Sequence, residues 1–336
     1  MCLYPREIRN KRYVPTRKNG YNPPICEDER VRFITIPCGK CYECRKQYAE
    51  SWRVRMNEEY RNKRVGMFVT MTISDEYYDK LESECMQEYS EIDYNKMAKI
   101  AIRRCLERYR KKNKVSFKHW FIPELGKETN RLHIHGIIFD KFDINDYWMY
   151  GMTFTGYVNE ASIAYVVKYI AKNDENGFKG RVFCSAGIGK CYLDKTNSKR
   201  NEFKPQGGTD LRYKYDNNHV GMIPKYYKDK LYTDKQREQL MIISQITGVK
   251  YVMGQCINIK KDYNTYDNVL NYERLRMIRL GFDKPTIWAE TEEHRKNQIK
   301  NKYKEYCKYG KYYNDNANNK QSEYHARAET DYYVRP

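Results

Sequence analysis

Two apolar, β-branched runs, FKHWFIPEL (117–125) and RLHIHGIIF (131–139), stand only five residues apart, joined by GKETN. Strand-like runs with so short a connection pair as an antiparallel hairpin. Upstream, VGMFVTMTI (65–73) alternates cleanly. Val65, Met67, Val69, Met71 and Ile73 fall on one face and Phe68, Thr70 and Thr72 on the other, as in a strand with one buried side. Helical periods flank these runs. Tyr48, Trp52, Met56 and Tyr60 recur every four residues within about 44–64, and 89–112 places Met97, Ile100, Ala101 and Leu106 inward beneath a basic face. A further helix is expected at 160–173. This order predicts an α+β fold, an antiparallel sheet with helices packed on it and helical extensions at both ends. Residues 1–37 read as an irregular, basic lead-in. Beyond 176, Gly- and Asn-rich loops give way to helical stretches at PKYYKDKLYTDKQREQLMIISQI and 283–308, with NDNANNK as a solvated tail. No internal repeat is found. The expected divisions are a cysteine-containing region with its helix (1–59), a central domain (60–175) and a loop-rich, helical remainder (176–336).

The 336 residues carry 63 Lys+Arg against 44 Asp+Glu, a formal charge of +19. Such a surplus, with 15% aromatic residues, points to a polyanionic partner, nucleic acid first of all. AT-rich coding DNA, which favours Lys, Asn, Ile and Tyr, is the competing explanation. No stretch reaches the roughly 18 apolar residues of a membrane span, and MCLYPREIRN lacks the apolar core of a secretion signal. Eleven cysteines, an odd number without an evident disulfide framework, fit a reducing compartment. A soluble protein of the cytoplasm, with no membrane partner, is expected.

Only six histidines occur, and two are His133 and His135. On a strand they share a face about 7 Å apart, while Leu132, Ile134 and Ile138 point into a core. Both imidazoles can then reach one metal ion, and Glu124, near the end of the preceding strand, could add a carboxylate. A half-buried pair that only satisfies hydrogen bonds is the plainer alternative.

ASIAYVVKYIAKN (161–173), wound as a helix, separates into two arcs. Ile163, Val166, Val167 and Ile170 form one; Tyr165, Lys168, Tyr169 and Lys172 form the other. If the second arc faces the histidines, two phenols and two ammoniums surround a bound cation. A phenol is a weak nucleophile at its ordinary pKa of about 10, but lysine and a divalent cation both favour the phenolate. The cation would also polarise a phosphodiester. Attack by tyrosine would then give a covalent phosphotyrosine and free a hydroxyl, keeping the bond energy for rejoining. Two tyrosines one turn apart would allow two successive transfers. A surface stripe in a chain full of Tyr and Lys is the alternative.

FVTMTI (68–73), HIH (133–135) and YVVKYIAK (165–172) occur in the order of three motifs that they resemble, those of the HUH endonuclease superfamily. The two-tyrosine form resembles the rolling-circle replication initiators of the microviruses. PCGKCYECRKQYAESWRVRMNEE and PKYYKDKLYTDKQREQL are similar to the gokushovirus branch, so the resemblance extends over most of 1–240. It implies His133 and His135 as metal ligands with Glu124 as the third, Mg²⁺ or Mn²⁺ as the ion, Tyr165 and Tyr169 as alternating nucleophiles, and Lys168 and Lys172 as their assistants. It further implies origin DNA, single-stranded or supercoiled, as substrate, with a host helicase and polymerase as partners. No Gly-x₄-Gly-Lys-Ser/Thr loop is present, so unwinding by this chain is not expected.

Cys38, Cys41 and Cys44 form a C-x₂-C-x₂-C run. Structural zinc wants four ligands, and Cys2 or Cys26 could complete a site; packing of Cys41 and Cys44 on one helix side is the rival reading. Basic, aromatic-interleaved runs at 61–64, 108–114 and 261–279 suit contacts to single strands. Two other functions stay open, a plasmid initiator or HUH transposase, and a zinc-containing DNA-binding protein without enzymatic activity.

Overall fold

The structure is a computed structural model that describes residues 1–126, 130–172, 177–215 and 220–313. The expected tail NDNANNK and the middle of the GKETN connection lie outside these residues. Two compact units result, Met1–Leu3 with Gly39–Asp283, and Tyr4–Cys38 with Lys284–Pro336. The second unit pairs β1 (Arg6–Arg9) with β2 (Phe33–Ile36), antiparallel. Both strands fall in the stretch expected to be irregular. A long C-terminal helix, described below, packs on β1.

The first unit begins with α1 (Tyr42–Lys63), followed by β3 (Met67–Thr72), α2 (Asp75–Tyr89), α3 (Tyr94–Asn113), β4 (His119–Leu125), β5 (Leu132–Ile138), β6 (Thr153–Tyr157), α4 (Glu160–Ala171) and β7 (Phe183–Cys184). The five strands form one antiparallel sheet in the order β6-β3-β5-β4-β7. The α+β expectation is met: helices lie against an antiparallel sheet.

Alternation explains which helices go where. Met67, Val69 and Met71 of β3 and Ile134 and Ile138 of β5 face a core closed by Leu81 and Cys85 of α2 and Met97, Ala101 and Cys105 of α3. The opposite face, with Trp120, Ile122 and Ile137, receives Ile163, Val166 and Val167 of α4 and Ala49, Trp52 and Met56 of α1. The 3.6-residue stripe in α3 and the aliphatic arc in α4 therefore bury where their periodicity placed them.

Local signals start the helices. Asp93 accepts from the Lys96 amide at the start of α3. At α4, Asn159 Oδ1 accepts from the Ser162 amide at 2.8 Å while Ser162 Oγ accepts from the Asn159 amide at 2.9 Å, a reciprocal cap.

After β7 come α5 (Thr196–Lys199), a hairpin of β8 (Arg212–Lys214) and β9 (Val220–Met222), α6 (Lys225–Leu231), α7 (Asp234–Thr247), a hairpin of β10 (Val249–Val252) and β11 (Gln255–Asn258), and α8 (Tyr263–Arg279). Tyr192, Tyr213, Tyr215 and Tyr227 bury against Val54 of α1. Buried Glu58 accepts hydrogen bonds from Tyr213 and Lys195, and buried Glu59 from Lys118 and the Gly189 amide. Thus α1 is apolar toward the sheet and acidic toward this tyrosine cluster. The helix on β1 is α9 (Pro285–Tyr313). Among the described residues, no helix is long and apolar enough to cross a membrane.

Candidate active site

Strand register brings the polar side chains of the α4-facing surface into rows. Glu124 lies opposite His133, His133 opposite Thr72, and His135 opposite Thr70. The imidazole rings of His133 and His135 lie 6.4 Å apart between centroids, so the same-face spacing read from HIH is present. His135 Nε2 is 2.9 Å from Glu124 Oε2, and His135 Nδ1 is 3.0 Å from Thr70 Oγ1. Burial pushes His135 down to about 4, and burial together with the His135 ring holds His133 below its ordinary value. A neutral imidazole carries one N–H. Since the carboxylate can only accept, Nε2–H donates to Glu124, and Nδ1 accepts from the Thr70 hydroxyl.

The helix lays its tyrosines over this surface. Tyr169 stacks on His135, centroids 4.5 Å apart and planes within 4°. One turn earlier, the Tyr165 ring meets the edge of Phe68 at 6.1 Å. The two phenol oxygens are 2.7 Å apart, within a hydrogen bond. Burial first, then the Tyr165 hydroxyl, raises the Tyr169 phenol well above its ordinary value. Tyr165 is 49% exposed. Lys172, at the end of α4, pairs with Glu124 Oε1 and stands 5.5 Å from the Tyr169 ring centroid; Lys168 lines the same cleft.

That cleft has a volume of about 900 Å³ and is lined by all seven residues picked from the sequence: Glu124, His133, His135, Tyr165, Lys168, Tyr169 and Lys172. Sequence reasoning missed Thr70 in its role on His135, although FVTMTI was noted. It also missed Lys46 and Arg53 of α1, which line the cleft too. Their seven-residue spacing, two helical turns, was the available signal. The basic runs that were singled out lie instead at the ends of α1 and α3 and along α8.

Two neutral imidazoles and a carboxylate make an N,N,O donor set on adjacent strands, which fits a divalent cation such as Mg²⁺ or Mn²⁺. A second group could hold a metal such as zinc. The sulfurs of Cys2, Cys38, Cys41 and Cys44 all lie within 4.8 Å of one another, with three of the four residues buried. Cys2 Sγ is 3.9 Å from Cys41 Sγ, against about 3.8 Å between ligands of a tetrahedral site with 2.3 Å Zn–S bonds. Cys2 thus joins the C-x₂-C-x₂-C run and Cys26 does not.

Residues 66–174 match a family model of replication-associated proteins, the ORF2 type. A replication-associated protein VP4 of Bdellovibrio phage phiMH2K is 23% identical over 272 residues, covering 71% of this chain and 81% of the phage protein. Both findings support a phage rolling-circle replication initiator. No solved structure matches the chain. All seven candidate residues of this initiator fall inside the segment that the family model matches, whereas the four cysteines and the α1 cations fall outside it.

Proposed function

We propose that the chain nicks one DNA strand at a replication origin and rejoins it through a 5′-phosphotyrosine intermediate, with residues 60–175 as the nuclease segment. The observation that carries this reading is the pair of phenol oxygens 2.7 Å apart above a His-His-Glu group in a cationic cleft. A tyrosine oxygen attacks the scissile phosphorus, the P–O3′ bond breaks, and the phenolic proton ends on the released 3′ hydroxyl. Lys168 grips phosphate, and Lys172 holds Glu124 in place beside Tyr169. A divalent cation held by His133, His135 and Glu124 supplies Lewis-acid polarisation of the phosphate. The free 3′ hydroxyl primes a host polymerase, with a host helicase opening the duplex, in the host cytoplasm. The second tyrosine then cuts the regenerated site, and the displaced circle closes. The cysteine group is assigned to structural zinc.

End-labelled single strands from the cognate genome, incubated with Mn²⁺ and run on a denaturing gel, test the chemistry. A protein-linked band is expected for wild type and for each of Tyr165→Phe and Tyr169→Phe, and is expected to vanish in the double variant and in His133→Ala/His135→Ala. Because Tyr165 is the more exposed phenol, Tyr165→Phe is expected to lower the first-turnover band at least about tenfold more than Tyr169→Phe, a gap of about 1.4 kcal/mol in barrier. A wild-type protein that binds these strands yet never forms the band would leave a DNA-binding module in place of the nuclease.

A further inference from the structure

We propose that edge strand β6 carries a base-stacking groove for the single strand beside the tyrosines, with Phe154 as its wall and Gly156 as its floor. The inference rests on the DNA-transfer reading and adds where the bases go.

Register places the groove. Thr70 pairs with His135 on one side and with Phe154 on the other, so Phe154 continues the His135–Thr70 row on the same sheet face. Two strand spacings separate it from His135, about 10 Å, a reach of one to two nucleotides. Gly156 lies opposite Phe68, whose ring meets Tyr165. With no side chain at 156 the surface between Phe68 and Phe154 is open: a Cβ there would meet only Phe68 Cδ1, at 4.0 Å. Met152, held opposite Thr72 by a hydrogen bond from its amide to Thr72 Oγ1, extends the apolar strip. Phe154 is 59% exposed and Met152 68% exposed.

A single exposed phenylalanine is ordinary. Here the aromatic ring, the side-chain gap and the thioether are contiguous with the candidate site. Lys46, Arg53 and Lys168 line the cleft and present positive charge to phosphates; β6 presents apolar faces without a charge. Single-stranded DNA has this division, an anionic backbone and flat apolar bases, and aromatic stacking accepts any base. A duplex keeps its bases stacked inside and would leave the groove unfilled.

Binding of a fluorescein-labelled oligothymidylate of about twelve nucleotides to the full chain tests this by anisotropy. Phe154→Ala is expected to weaken binding between about 5-fold and 100-fold, the range for loss of one stacked base. Phe154→Trp should bind as wild type, and Phe154→Leu should resemble the alanine variant. Gly156→Val, which adds atoms, should weaken binding as well. The slope of log Kd against log salt should stay unchanged, because no phosphate contact is removed. Wild-type affinity in Phe154→Ala, full rescue by leucine, or a lower salt slope would overturn the groove. So would a dimer that dissociates on Phe154→Ala while DNA affinity holds, which would make the face an interface between copies. The gel assay with cognate strands separates the two ideas: a normal covalent band with no effect of residue 154 sinks the groove alone, and loss of oligothymidylate binding without any covalent band in wild type sinks the chemistry alone.

Discussion

At Gly136 the backbone of β5 passes under its neighbour so closely that a Cβ would stand 2.3 Å from Phe121 Cδ1 and 2.4 Å from the Trp120 carbonyl oxygen. The ring could turn away, but the carbonyl belongs to the β4 backbone and cannot. Gly136→Ala is therefore expected to destabilise the fold by about 3 kcal/mol, read as a lower urea midpoint, and a midpoint equal to wild type would show that the strands separate easily. His119, on β4, makes a second residue-scale case. Burial pushes its imidazole down to about 4 from an unfolded value near 6.5, and its Nδ1 is 3.0 Å from Ser185 Oγ. The unfolded chain therefore binds this proton first, so stability is full above about pH 6.5 and is lost as pH falls toward 4, by up to about 3 kcal/mol. His119→Gln should flatten that part of the urea-stability profile relative to wild type; parallel profiles would remove His119 from the acid response.

The elements that could be read in advance were those whose burial is one-sided. Alternation in 65–73 and 131–139 and the helical stripes of α3 and α4 each place one apolar face against one layer, so period alone located them. Tyr165 and Tyr169 were legible for the same reason: the aliphatic arc of α4 left the other arc nowhere to go but over the histidines. Strand β6 was not legible, because four of its five residues are exposed and its place is set by hydrogen bonds to β3 and to the Thr72 side chain. Nor was the second face of α1. Buried Glu58 and Glu59 read as surface charge until the tyrosines and lysines that satisfy them are known, and those partners lie some 60 to 155 residues along the chain. The pairing of β1 with β2 joins short segments without strong alternation across an intervening loop. The sequence also named three of the four clustered cysteines; Cys2 stands 36 residues before Cys38, outside any spacing rule.

Across the whole molecule, that fourth cysteine changes what a metal would do. A metal joining Cys2 to Cys41 closes a loop of 39 residues' separation, and a cross-link of that length removes much of the freedom of the unfolded chain. Protein purified without chelator is expected to hold one zinc per chain by elemental analysis. Stripping it, or substituting Cys44→Ser, should lower the thermal midpoint by several degrees while leaving the tyrosine–histidine cleft chemistry recoverable at lower temperature. A stoichiometry near zero with an unaltered melt would return the cysteines to packing. The two phenol oxygens have a consequence of their own. They lie 2.7 Å apart, about the width of a water molecule. On the proposed chemistry, a phosphorus handed from one to the other moves no farther than that. The protein can stay still while the DNA segments change places around it, and the genome's loose end is never adrift between cutting and closing.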